Sequence, residues 1–402
     1  MAVTSQQSAV TPARRMLLLV SVAEVLGMTL WFSATAAAPA IVREFGMAAG
    51  GLAWLTMAVQ AGFVAGTLIT AVTNLADAVN ARRLFAMGCV GGAAVNAAIA
   101  FVPSDAAVIL LRFLTGVALA WVYPPGMKIA AGWFRERRGT ALGIVVGAVG
   151  VGSAFPHLLA WLGAGLPWRL VVSASSVLAV VGASIVALAV QDGPYVSASA
   201  PFDRHALRVV LRSRGTRLAM LGYFGHMWEL YAMWTWIAVF ASASLSAAAA
   251  ASLDGARVGS LVAFIAIASG AVGCVAAGFW ADRFGKARIA GAAMLGSAAC
   301  VLVSPLFYGA PLAALLPFTV IWGFTVVADS AQFSALVTDH TPRTHVGTAL
   351  TLQTSAGFLL TMVSMRLVPP ISATAGWQWA FLFLAPGPLL GALAMRRLTR
   401  QP

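Results

Sequence analysis

Long apolar runs separated by short polar segments set the pattern of this chain. A helix needs about 20 residues to cross a bilayer, and runs of that length recur near 16–40, 52–74, 84–102, 106–127, 139–163 and 168–190. A second set lies near 217–243, 257–280, 288–308, 312–334, 346–368 and 376–395. The pattern predicts an all-α membrane protein of twelve spans, six on each side of a polar segment at 191–216 that is basic in its second half. Residues 1–15 form a tail, irregular to about residue 13, and 396–402 form another. Arg14 and Arg15 precede the first run, which is too long for a signal-peptide core and lacks a cleavage site, so it reads as a retained helix.

Within this pattern one stretch occurs twice. Glu24, Met28 and Trp31 recur 205 positions later as Glu229, Met233 and Trp236. Spacing i, i+4, i+7 puts each triplet on one helical face, and Ser21 and His226 extend the stripes. The chain has four glutamates, and only these two fall inside apolar runs. An ionisable group there is expensive and points to function. The same offset relates Asp77 to Asp282 and Arg83 to Arg288, and Gly139-Thr140-Ala141-Leu142 returns 208 positions on as Gly347-Thr348-Ala349-Leu350. Such offsets imply two parallel six-helix repeats, 16–190 and 217–395.

Composition agrees: 60% of residues are hydrophobic, 9% are charged, and the mean hydropathy is +0.89. The net charge of +13 does not indicate nucleic acid, because the basic residues are spread among short inter-helical segments. Nineteen of the 25 lysines and arginines fall on one side of the predicted topology, which places both termini and the linker in the cytoplasm and the protein in the cytoplasmic (inner) membrane. Cys89, Cys274 and Cys300 lie in three different spans without ligand spacing and read as buried apolar residues. No phosphate-binding glycine loop, His-Glu-x-x-His or Ser-His-Asp arrangement favours an enzyme, and no cofactor is expected.

The run Gly278-Phe-Trp-Ala-Asp282-Arg283-Phe-Gly285-Lys286-Ala-Arg288 resembles the loop signature of the major facilitator superfamily. Its N-terminal copy keeps Asp77, Arg82 and Arg83, with Thr73, Ala78 and Asn80 at altered positions. Arg112 with Gly116 resembles the family's fourth-helix pattern. The fifth helix has Gly143, Gly147, Gly150 and Gly152 before Pro156 but lacks the Gly-Pro pair common in antiporters. The resemblance implies a monomeric transporter working by alternating access. It also implies that Asp77 and Asp282 face the N-termini of the fifth or eleventh helix and hold the cytoplasmic side shut, with Arg83, Arg283 and Arg288 beside them. Leu30-Trp31-Phe32-Ser33-Ala34 is similar to the nitrate/nitrite porter branch. That branch relies on arginines in the second and eighth helices; here the second has none and the eighth only Arg257 at its edge, so nitrate is not the expected substrate.

On this resemblance Glu24 and Glu229 line a central cavity, facing each other across the pseudo-twofold axis as proton carriers or as counter-ions to a cation. Arg112 either modulates a nearby acid or snorkels, and Asp329 pairs across helices or coordinates an ion. His157 reads as a satisfied packing histidine. His226 sits on the face of Glu229 as a proton relay or, with Glu229 and Met233, as a transition-metal ligand set. Met28, Trp31, Tyr231 and Trp236 suit an organic substrate instead, through stacking and cation–π contact. A sensor built on a transporter fold is the rival from another class.

Overall fold

The computed structural model describes residues 2–47, 50–135, 138–163, 166–195, 207–248 and 254–400, without the side chains of 2–11, 76, 77, 207, 208 and 343. Every regular element among them is a helix. Twelve are long and apolar enough to cross a membrane: Pro12–Ala36, Gly51–Val72, Ala81–Phe101, Asp105–Ala131, Arg138–Leu162, Trp168–Ala189, Arg214–Ala247, Gly255–Phe284, Lys286–Phe307, Leu312–His340, Val346–Ala375 and Trp377–Leu398. They are numbered here as spans 1 to 12. The side of the molecule that carries the linker is the linker side, and the other is the far side.

Hydropathy locates the spans but not their interruptions. The first helix reaches back to Ala2, through the stretch expected to be irregular, because its alanines, serines and glutamines are adequate helix formers. It stops at Ala36, short of the expected end near 40. Pro39 then stands in the first turn of a separate helix, Ala38–Phe45, which buries Ala38 and Ile41 and closes at Gly46 with φ +61°.

Span 4 is broken into Asp105–Leu119 and Tyr123–Ala131. Pro124 and Pro125 lack N–H groups, so the helix ends before them and restarts with them in its first turn. Span 10 is broken into Leu312–Ala328 and Ser330–His340 around Asp329. No proline accounts for this second break. Val122 and Asp329, the break residues, are 207 positions apart, so the repeat reproduces the interruption without reproducing its cause.

Within each half, spans cross at glycines. A Cβ on Gly116 would overlap the Val59 carbonyl, where span 4 meets span 2, and one on Gly323 would overlap the Ala266 carbonyl, where span 10 meets span 8. Backbone against backbone is the packing available to helices in lipid, where apolar side chains gain nothing by leaving the tails. Both members of each contact again differ by 207 positions. The Arg112-to-Gly116 spacing thus has a steric reason at its glycine end.

The halves meet along two seams. Span 5 follows span 8 from Gly139 beside Asp282 on the linker side, past Gly143 against the Cys274 carbonyl, to Trp161 under Arg257 at 5.6 Å on the far side. Span 2 meets span 11 where Thr361 Oγ1 donates to Gln60 Oε1 at 2.5 Å and Phe63 packs on Phe358 at 4.9 Å. At the start of the linker, Arg82 donates to both carboxylate oxygens of Asp192 at 3.0 and 2.9 Å and to the Val190 carbonyl at 2.7 Å, holding it on the N-terminal half.

Candidate functional site

The two repeated glutamates are fully buried, and each turns into its own half rather than toward the other. Glu229 Oε1 accepts from Ser297 Oγ at 2.5 Å and from Trp322 Nε1 at 2.6 Å, between spans 7, 9 and 10. Both groups donate to this one oxygen. Glu24 lies against span 4, where a Cβ on Gly126 would overlap its Oε2 and lie 3.4 Å from Phe85. Among the described residues neither Glu24 oxygen has a hydrogen-bond partner. The i, i+4, i+7 stripe fixes direction about a helix's own axis; which neighbour it meets depends on the crossing.

His226 and Asp329 form the second ionisable cluster, each side chain 2% exposed. His226 Nδ1 is 2.8 Å from Asp329 Oδ1, close enough to pair though not aligned as a hydrogen bond, and Nε2 is 3.0 Å from Ser330 Oγ. Asp329 therefore pairs across helices, at the break in span 10. The corresponding N-terminal positions are Ser21 and Val122, so the other repeat has no ionisable pair there. His226 and Glu229 turn to different partners. Among the described residues no group of three or more His, Cys, Asp or Glu is placed to hold a metal.

Arg112 does not snorkel. It is fully buried and donates to the carbonyls of Leu30 at 2.9 Å, Leu55 at 3.2 Å and Trp31, to Ser33 Oγ at 3.1 Å and to Asn96 Oδ1 at 3.2 Å. These acceptors are all neutral, and they brace span 1 from behind Trp31.

On the other face of span 1, aromatic rings fill the space between the halves. Trp31 packs on Phe63, Tyr231 and Phe358 at 5.1, 5.7 and 5.6 Å. Phe32 packs on His157, Tyr231 and Trp234 at 6.2, 6.3 and 6.0 Å. Of the remaining stripe residues, Met28 sits where span 1 crosses Gly152 of span 5, and Met233 is fully buried. Trp236 donates to the Met365 carbonyl at 3.1 Å. The sequence pattern does not single out Gln60, Phe63, Phe358 or Thr361 for this region. A glutamine inside an apolar run is the available signal for Gln60. His157, expected to be satisfied, has no hydrogen-bond partner on either ring nitrogen among the described residues and packs against the Phe32 ring.

On the linker side Asp282 Oδ1 stands 3.6 Å from where a Gly139 Cβ would be, at the start of span 5. Arg83 and Arg288 are exposed, and Arg283 lies over Phe284 at 5.3 Å. Asp77 has its backbone in the short helix Leu75–Ala78, but its side chain lies outside the described residues. The three cysteines are free and buried.

The family model of the Major Facilitator Superfamily matches residues 20–253 and 219–402. The chain belongs to this superfamily. Among solved members of the fold, a mutant of the nucleoside transporter NupG is 16% identical with a TM-score of 0.71, covering 96% of this chain and 100% of its own. The xylose transporter XylE from E. coli is 12% identical with a TM-score of 0.74, covering 96% and 98%. The human organic anion transporter MFSD10 is 16% identical with a TM-score of 0.70, covering 96% and 99%. At such identities these likenesses concern the fold. No curated protein matches the chain by sequence. This superfamily member is an integral multi-pass membrane protein that transports a small solute and is not an enzyme.

Proposed function

We propose that this transporter is proton-coupled through Glu24 and Glu229, working by alternating access in the cytoplasmic membrane with linker and termini in the cytoplasm. One observation carries the coupling: among the described residues each repeat buries one glutamate at equivalent positions, one met by two donors and the other by none. A carboxylate without a donor is costly to bury, whereas one with two short bonds is not. In this conformation Glu229 is arranged as the anion and Glu24 as the neutral acid. Alternating access would exchange those surroundings and move a proton. Asp282 against the start of span 5 supports a gate on the linker side, since a helix N-terminus favours an anion.

Glu24→Gln and Glu229→Gln keep shape and abolish titration. In proteoliposomes each is expected to lose gradient-driven flux while substrate-for-substrate exchange persists. Loss of a cationic substrate's binding at every pH would make the glutamates counter-ions instead. Normal driven flux in both variants would remove the coupling role, and ligand binding without flux in the unaltered protein would indicate a sensor.

A further inference from the structure

The ring-filled seam contains polar atoms that no described residue satisfies. Trp31 Nε1, Trp234 Nε1, Gln60 Nε2 and both ring nitrogens of His157 have no hydrogen-bond partner. All four residues are at most 2% exposed. They share one site: Trp31, Phe32, His157, Tyr231 and Trp234 form a continuous chain of ring contacts. Gln60 is one turn from Phe63 on span 2, and its Oε1 is taken by Thr361 from the opposite half. Buried polar groups are almost always paired, so a cluster of unpaired ones calls for an explanation.

The chemistry of these groups is narrow. Indole N–H and the free amide N–H₂ only donate, and a neutral imidazole adds one donor and one acceptor. The surrounding surface is the faces and edges of Trp31, Phe32, Tyr231, Trp234 and Phe358. Formal charge is turned away from it. Glu229 is held by Ser297 and Trp322 within the C-terminal half, Glu24 lies against Gly126 within the N-terminal half, His226 and Asp329 pair with each other, and Arg112 is spent on neutral acceptors.

We infer that the transported solute is an uncharged planar heterocycle, bound between Trp31 and Trp234 with ring nitrogens or carbonyl oxygens accepting from the two indoles and Gln60. Both halves supply rings and donors, so the solute enters where Trp31 and Tyr231 part. This deepens the transporter reading and rests on it, but binding in detergent does not depend on proton coupling, so the two can fail separately.

The test is equilibrium binding of tritiated uracil and nicotinamide to the purified full chain, with xylose, benzoate and tetraethylammonium as comparators. At least one heterocycle is expected to bind and the comparators are not. Trp31→Phe and Trp234→Phe keep a ring and remove the N–H. Each is expected to weaken that binding about ten-fold, the scale of one hydrogen bond left unmade, with a single cooperative melting transition and an unchanged elution volume as the control for folding. If one variant fails to fold, the other carries the test. Binding of xylose or a charged probe instead, no binding by either heterocycle, or unchanged affinity in the folded variants would overturn the inference.

Discussion

Trp322→Phe tests whether Glu229 is held as a carboxylate. The substitution removes the Nε1–H that lies 2.6 Å from Oε1 and leaves Ser297 Oγ at 2.5 Å as the remaining donor. It also shrinks a ring that packs on Phe318 and Phe381 at 5.7 and 5.2 Å, a loss of contact unrelated to the carboxylate. The two contributions separate in a double-mutant cycle with Glu229→Gln, because the packing loss is common to both backgrounds. A hydrogen bond to an ionised group contributes about 1.5–3 kcal/mol and a neutral one about 0.5–1.5 kcal/mol. The indole can still donate to the glutamine's oxygen. The coupling between the two substitutions is therefore expected at about 1–1.5 kcal/mol, roughly ten-fold in the folded-to-unfolded ratio. Reversible unfolding in mixed detergent micelles at neutral pH, with the four proteins compared side by side, reads this directly. Equal costs of Trp322→Phe in both backgrounds would refute the assignment of an anion at this site.

Three further outcomes are expected. Gly116→Ala and Gly323→Ala should each destabilise their half by about 1–3 kcal/mol, whereas Gly91→Ala, with nothing within 4 Å of the new methyl group, should not; melting temperatures distinguish the cases. Asp282→Asn should loosen the linker side, and spin-label distances between spans 5 and 8 that do not change would remove the gate. Glu44 is held below the usual carboxylate range, first by Arg169's hydrogen bonds and then by the Trp168 indole N–H. Its contribution is present above the free-glutamate value of about 4.3 and is lost as pH falls further, through its lowered folded-state value. Acidification should then release the Ala38–Phe45 helix, seen as faster amide exchange there, and Glu44→Gln should show that faster exchange already at neutral pH.

Twelve spans and two repeats were legible because the bilayer demands long apolar runs and because the repeat left identical residues at fixed offsets, such as Glu24 with Glu229 and Asp77 with Asp282. The burial of both glutamates was legible from the apolar runs that contain them. Their direction was not. Glu24 meets Gly126 and Glu229 meets Trp322 because of crossing geometry that no single helix encodes. The break at Val122 could be read from Pro124 and Pro125, but the one at Asp329 has no local signal. Of the two readings of Arg112, snorkelling fails because carbonyls of residues unremarkable in sequence, among them Leu30 and Leu55, hold it inside.

The glycine crossings have a mechanical consequence. Where Gly116 meets Val59 and Gly323 meets Ala266, backbone rests on backbone, leaving no rotamers to yield. Each half is thereby a stiff lever, and the rotamers free to yield lie among the rings where spans 1, 2, 7 and 11 meet. A span of 30 residues such as Gly255–Phe284 is about 45 Å long. If it pivots near its middle, a tilt of about 10° carries each end about 4 Å. Small rearrangements of a few aromatic side chains at the fulcrum are then sufficient to part the helices at one face of the membrane while pressing them together at the other.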